Sequence, residues 1–104
     1  MKREAGIMKL YPGAREEYEK RHSEIWQELV DDIKSHGASN YSIFFNKETN
    51  ELFSYLEISD EMLWKERAGS EITKKWWKYM SDLMETNQDN SPVYIPIEEV
   101  FHID

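Results

Sequence analysis

Residues 41–58, YSIFFNKETNELFSYLEI, decide the fold of this chain. Two aromatic runs, 41–45 and 52–58, flank the polar segment 47–50. Alternating apolar runs of this length on either side of a short polar segment are typical of a β-hairpin. The sequence therefore predicts two adjacent antiparallel strands near the middle of the chain.

The segment before the hairpin predicts a strand followed by a helix. Residues 3–10 favour a short strand, and Pro12 and Gly13 end it because proline cannot join a strand ladder and glycine turns freely. From 14 to 36 the apolar residues recur at helical spacing, and Gly37 is suited to end the helix. The predicted stripe consists of Tyr18, His22, Ile25, Trp26, Leu29 and Ile33.

The segment after the hairpin predicts two helices and a last strand. Ser59 is a plausible N-cap for a short helix over 60–68, and Ser70 begins another that runs to about Met84. Residues 87–92 are a polar loop, and 97–103 predict the last strand. The order is β-α-β-β-α-β, the ferredoxin-like α+β plan of one antiparallel sheet with helices on one face.

The hairpin carries apolar residues on both of its faces. A sheet with one face exposed to water usually has polar residues on that face, so this pattern indicates that both faces are covered. A second copy of the chain is the simplest cover for the face that the helices leave bare, so we expect a homodimer in which two sheets form an α+β barrel. The alternative is a monomer with an unusually aromatic wet face. On the first strand of the hairpin, alternation points Tyr41, Ile43 and Phe45 one way and Ser42 and Phe44 the other. On its second strand, it points Leu52, Leu56 and Ile58 one way and Phe53 and Tyr55 the other.

The length and composition of the chain limit the number of domains and exclude several kinds of partner and chemistry. One domain spanning 1–104 is expected from 104 residues. The net charge of −8, from 13 Lys plus Arg against 21 Asp plus Glu, argues against nucleic acid and anionic membranes as partners. No cysteine is present, which excludes disulfides and thiolate chemistry, and no apolar run is long enough to cross a bilayer. We expect a soluble, cytoplasmic protein.

His22 is the first candidate for chemistry, because an imidazole titrates near neutral pH and lies here within an apolar helix stripe. It could equally be a core histidine whose ring nitrogens are hydrogen-bonded to a neighbouring group. The three histidines are far apart in sequence, so we expect no metal site.

The pair Trp76-Trp77 is the second candidate. Adjacent helix residues point about 100° apart, so Trp76 belongs to the core stripe and Trp77 to an edge, an interface or a cavity. The alternative is that both rings simply pack.

As a set, several short motifs resemble the L-rhamnose mutarotase family over nearly the whole chain. The motifs are Glu17-Tyr18 with His22 and Trp26, Lys34-Ser35-His36-Gly37, Asn40-Tyr41, Trp76-Trp77-Lys78-Tyr79-Met80, Asp89-Asn90-Ser91-Pro92 and Glu99-Val100-Phe101. Gln88 stands where a family member has proline, a loop change that bears on rigidity or sugar preference.

The resemblance implies a dimeric α+β barrel that interconverts the α and β anomers of L-rhamnose without a cofactor. It implies that His22 is the proton donor, and that Tyr18, Tyr41, Trp76 and Trp77 bind the sugar. The second proton-transfer group stays open among water, a tyrosine, a carboxylate and His22 itself. Two other functions use the same plan, a monooxygenase or haem-degrading enzyme and a non-catalytic sugar-binding module.

Overall fold

The computed structural model describes every residue from Met1 to Asp104. Its strands are β1 (Lys2–Lys9), β2 (Ala38–Asn46), β3 (Glu51–Ile58) and β4 (Ile95–Ile97). Its helices are α1 (Arg15–Ser23), α2 (Gln27–Ser35), α3 (Glu61–Glu66) and α4 (Glu71–Met80), with a 3₁₀ turn at Arg67–Gly69. None of these helices combines the length and the apolar character needed to span a membrane.

The four strands form one antiparallel sheet in the order β2-β3-β1-β4. The hairpin of β2 and β3 is present as predicted, and β1 pairs with β3 from Lys2 opposite Ile58 to Lys9 opposite Glu51. The first strand therefore lies at the centre and the last at an edge, which confirms the ferredoxin-like α+β plan.

Burial along β3 alternates strictly, as the sequence pattern predicts. Leu52, Ser54, Leu56 and Ile58 are buried against the helices, while the residues between them are half-exposed. Leu52 joins a core cluster with residues from three helices, so one face of the sheet holds the core. The members of that cluster are Met8, Leu10, Ala14, Tyr18, Leu29, Leu52, Trp76, Met80, Leu83 and Met84.

The single helix expected over 14–36 is wrong, because the chain breaks between α1 and α2. Trp26 has extended backbone angles, φ −66° and ψ 131°. Ile25 and Trp26 both pack against the core, although neighbours in a continuous helix point about 100° apart. The break lets both side chains reach the core. The predicted end at Gly37 is confirmed, since its φ of +92° suits glycine.

Two helix boundaries also differ from the prediction. Asp60, not Ser59, caps α3, because its carboxylate accepts from the main-chain N–H of Met62 and Leu63. Ser70 caps α4 as expected, but the helix ends at Met80 rather than Met84. Beyond Met80 the backbone pairs with the end of β1 instead: the Tyr11 N–H donates to the Leu83 carbonyl at 2.9 Å.

The last strand expected over 97–103 is also wrong. β4 ends at Ile97, and the following residues form no regular structure. Arg3 binds Glu99 through two side-chain hydrogen bonds, of 2.6 and 2.9 Å, so contact with β1 continues through side chains rather than a ladder. Val100, Phe101 and Ile103 are highly exposed, since no neighbouring strand covers them.

Candidate functional site

A cavity of about 610 Å³ lies between the helices and the sheet. All five residues singled out from the sequence line it, and they come from three elements. Of the 25 lining residues 16 are hydrophobic, which leaves a small number of polar groups to orient a ligand. The five are Tyr18 and His22 on α1, Tyr41 on β2, and Trp76 and Trp77 on α4.

One ring nitrogen of His22 is fixed by its own helix. Nδ1 lies 3.0 Å from the main-chain oxygen of Tyr18, one turn earlier. A carbonyl oxygen only accepts, so Nδ1 carries the hydrogen and donates it, and Nε2 of the neutral ring has a free lone pair. No protein group pairs with Nε2. The imidazole therefore presents one acceptor atom that is free to exchange a proton.

Aromatic rings surround His22 and set its charge state. The Tyr18 ring lies 4.3 Å away between centroids, and the edge-on Trp76 ring lies 5.4 Å away. Burial among these rings lowers the pKa of His22, while the hydrogen bond to Tyr18 acts in the opposite direction. At neutral pH the neutral form of the ring therefore predominates, and its Nε2 can accept a proton.

The two adjacent tryptophans take different positions, as their spacing predicts. Trp76 is only 8% exposed and lies in an aromatic cluster with Trp26 and Tyr79, at 5.0 and 5.7 Å between centroids. Trp77 is half-buried and lines both this cavity and a smaller neighbouring one. Trp76 thus contributes to the core as well as to the cavity wall, while Trp77 offers more of its ring to a ligand.

A bulge in β2 places Tyr41. The register shifts between Ser39 and Ser42, and Asn40 has a φ of +46°, a conformation that asparagine tolerates better than most residues. The Asn40 amide donates to the Glu57 carboxylate at 2.9 Å, which holds the bulge to β3. Although 41% of Tyr41 is accessible, its hydroxyl is deep enough that burial raises its pKa.

The phenols of the site stay protonated at neutral pH. Burial raises the pKa of Tyr18 far above its ordinary value, with a further contribution from Tyr41. Both hydroxyls can therefore donate hydrogen bonds to a ligand, but neither supplies a phenolate base.

The sequence analysis missed polar residues that the fold brings to the cavity. Arg67, from the turn before α4, and Asn90, from the polar loop, both line it. Asn90 has a φ of +71° in a loop closed by the Asn87 N–H, which donates to the Ser91 carbonyl at 2.8 Å. The loop composition was a weak signal for Asn90, and nothing local marked Arg67.

No group of three His, Asp or Glu side chains is placed to hold a metal ion. The other histidines lie elsewhere. His36 caps the end of α2 beside Asp32, and His102 contacts Asp104 in the tail.

Fold and site together define a class: small ferredoxin-like α+β proteins with a cavity lined by aromatic rings and one neutral imidazole. Residues 3–103 match the L-rhamnose mutarotase family. The chain belongs to that family.

Individual relatives agree over the full length. A protein named L-rhamnose mutarotase from Oceanobacillus iheyensis is 55% identical over 104 residues, with both chains covered completely. One of the same name from Clostridium beijerinckii is 54% identical over 96 residues, 92% of each chain. The crystal structure of an L-rhamnose mutarotase from Formosa agariphila superposes with a TM-score of 0.92 at 45% identity, again over 100% of both chains.

Proposed function

We propose that this protein is an isomerase that interconverts the α and β anomers of L-rhamnose. The observation that carries the proposal is the free Nε2 of a neutral His22, whose Nδ1 is held by the Tyr18 carbonyl, within a cavity large enough to admit a sugar. Membership in the L-rhamnose mutarotase family indicates which sugar is the substrate. The geometry of the site provides an imidazole that can accept a proton from that sugar and return it.

The reaction needs a net transfer of one proton from the anomeric hydroxyl to the ring oxygen. In the proposed sequence Nε2 of His22 takes the proton of the C1 hydroxyl, whose oxygen forms the C1=O bond. The C1–O5 bonding pair moves to O5, which receives the proton from the imidazolium. Rotation about C1–C2 and reversal of these steps close the ring on the other face.

One nitrogen can serve both transfers, because the two oxygens are bonded to the same carbon. Among the open alternatives for the second group, Tyr18 and Tyr41 are disfavoured since burial raises the pKa of each. Glu19 is the one carboxylate that lines the cavity, and its side chain is largely exposed. The Tyr18 carbonyl favours the transient imidazolium by accepting from Nδ1.

The aromatic residues are proposed to bind the sugar. An indole ring such as Trp77 can cover an apolar C–H face, and its N–H can donate to a hydroxyl. Tyr18 and Tyr41 are proposed as neutral hydrogen-bond donors, which suits a neutral sugar. Trp76 is proposed to form the wall behind His22. No metal or cofactor takes part in this scheme.

We further propose that the protein is a homodimer in which two sheets pack face to face. Phe44, Phe53, Ile7 and Ile95 are paired in register across all four strands, so they form one apolar row on the face away from the helices. Phe44 is 64% exposed and Ile95 55%. A contiguous apolar row of this kind is typical of an interface, and a two-fold partner would cover it with the same row.

We also propose that residues 1–104 act as a single domain in the cytoplasm. The support is the acidic, highly charged composition, because a net charge of −8 keeps a protein dispersed in water. Cell fractionation with an antibody to the protein tests the location.

Saturation-transfer proton NMR on L-rhamnose tests the activity. One anomeric proton is irradiated and the loss of intensity at the other is measured, with catalytic amounts of protein and with buffer alone. Transfer above the buffer rate supports the proposal. Sugar binding with exchange at the buffer rate would favour a non-catalytic binding module, and a Soret shift on addition of haem would favour the haem-degrading alternative.

A further inference from the structure

Arg67 is a buried cation at the junction of two cavities. It begins the 3₁₀ turn between α3 and α4, and its side chain is only 13% exposed. It lines the 610 Å³ cavity and a neighbouring one of about 220 Å³, which share Tyr41 and Trp77 as further walls. His22 lines only the larger of the two.

Two contacts hold the guanidinium in place. Its Nε lies 3.4 Å from Oδ2 of Asp32, and the guanidinium lies 5.0 Å over the Trp64 ring. Asp32 is itself fixed, because the hydroxyls of Ser70 and Thr73 donate to the same Oδ2 at 3.1 and 3.0 Å. Asp32 lines neither cavity, so it holds the charge from outside the cavity lining, while Trp64 lies in the wall of the smaller cavity.

Arg67 donates no well-aligned hydrogen bond within the protein, and the Asp32 carboxylate is its one ionic partner. Nε is fully buried, and its approach to Asp32 is too poorly aligned to count as a hydrogen bond. Arg21 makes the contrast clear. Its side chain is equally buried, at 13% exposure, but it donates to Glu17, to Asp82 and to the Tyr79 carbonyl.

A buried guanidinium is costly when a single carboxylate, here Asp32, is its partner and its N–H groups lack well-aligned acceptors. Burial lowers the pKa of Arg67, and Asp32 and Tyr41 counteract that only in part. Tyr41 and Arg67 line the same two cavities, and each alters the pKa of the other. A ligand in the cavity would supply the missing acceptors.

We propose that Arg67 is a substrate-binding residue that donates two hydrogen bonds to adjacent sugar hydroxyls away from the anomeric carbon. The planar fork of N–H groups matches two neighbouring oxygens, as it does in bidentate pairs. This inference rests on the proposed mutarotase function and assigns to Arg67 the choice between sugars that differ in those hydroxyls. The proton transfer at C1 stays with His22.

The test is Arg67→Met, which keeps an unbranched side chain as far as the position of Nε and removes the donors. The anomer-exchange assay should show a KM for L-rhamnose raised roughly 10- to 100-fold with kcat little changed. Lys65→Met is the matched control, since it removes an exposed cation of α3 that lines neither cavity. It should leave KM unchanged.

Analogues of L-rhamnose that lack one hydroxyl at C2, C3 or C4 separate contact from structure. For the analogue that lacks a contacted hydroxyl, the wild-type KM should already be raised and Arg67→Met should raise it by much less. An equal increase for every analogue would mean that Arg67 only supports the fold, and would overturn the inference.

Arg67→Met leaves Asp32 as an unpaired carboxylate, so the double variant Arg67→Met/Asp32→Asn is measured beside it, with circular dichroism as the check on folding. A wild-type KM in the folded variants overturns the role of Arg67 and leaves the mutarotase proposal standing. A wild-type protein that fails to exchange the anomers of L-rhamnose overturns both.

Discussion

Nδ1 of His22 lies 3.0 Å from the main-chain oxygen of Tyr18, so the helix that carries the imidazole also fixes its tautomer. The arrangement leaves Nε2 as the one atom of the ring that can exchange a proton with a ligand. It also lets the ring become cationic for a moment, because the hydrogen bond to the carbonyl strengthens when the imidazole is charged.

Replacement of His22 by alanine should reduce anomer exchange by about 10²- to 10⁴-fold, the usual contribution of a general acid–base group. His36→Ala is a closely matched control. His36 also has its Nδ1 close to a carbonyl four residues earlier, 2.7 Å from Asp32 O, but it does not line the cavity. Saturation-transfer NMR measures both variants, and full activity in His22→Ala would exclude the imidazole as the proton carrier.

The pH dependence of kcat/KM distinguishes the two starting states of His22. Burial lowers the pKa of the free imidazole from its ordinary 6.5, so the neutral ring predominates at pH 7. If the neutral form starts the reaction, kcat/KM is constant around pH 7 and falls only as the pH drops below 6.5 through the lowered pKa.

The opposite profile would contradict this order of events. If a protonated His22 had to donate first, kcat/KM would rise as the pH falls toward and below 6.5. The measurement is the excess exchange rate over buffer at each pH, since acid and base in solution also catalyse mutarotation. His22→Ala provides the blank that removes every contribution other than the imidazole.

Local patterns in the sequence predicted the hairpin and the cavity walls better than the ends of the helices and the position of the last strand. The alternation along β3 depends only on which face of the strand is buried. The helix end at Gly37 depends only on one residue with a left-handed backbone conformation, which glycine adopts easily. The five candidate site residues lie together because the predicted order of elements packs α1 and α4 on the same face of the sheet that contains β2.

What the sequence pattern did not predict depends on contacts between distant segments. The break at Trp26 has no glycine or proline to mark it and arises from packing against the core. α4 stops at Met80 because the Leu83 carbonyl pairs with Tyr11, 72 residues earlier in the chain. In the sequence, nothing distinguishes Arg67 from a surface cation. Only the fold shows that its side chain is buried beside Asp32.

Trp77→Ala should weaken sugar binding more than it lowers stability. The half-buried ring lines both cavities, and loss of an aromatic platform should raise KM for L-rhamnose roughly tenfold. Trp76→Ala is the comparison. Because Trp76 is 8% exposed within the aromatic cluster, its loss should cost about 3–5 kcal/mol in the free energy of unfolding.

Urea denaturation and the exchange assay measure the two tryptophan variants side by side. A large fall in the unfolding free energy of Trp77→Ala with an unchanged KM would mean that this ring is part of the core and does not contact the sugar.

Phe44→Glu should convert the proposed dimer into monomers. Phe44 is the most exposed member of the apolar row across the sheet, and it faces away from the helices beside Phe53. A charge there would lie against its two-fold copy or against apolar side chains in a face-to-face dimer, and burying it without a partner is strongly unfavourable. Sedimentation equilibrium should show the dimer mass for the wild type and the monomer mass for the variant.

Met62→Glu is the matched control for the sheet face. Met62 is 78% exposed on α3, on the opposite side of the sheet from the apolar row, so the same charge change there should leave the dimer intact. A wild-type protein that sediments as a monomer would contradict the sheet-to-sheet dimer directly. A Phe44→Glu variant that stays dimeric would move the interface to another surface, and the exposed tail residues Val100 and Phe101 would then be the next place to introduce a charge.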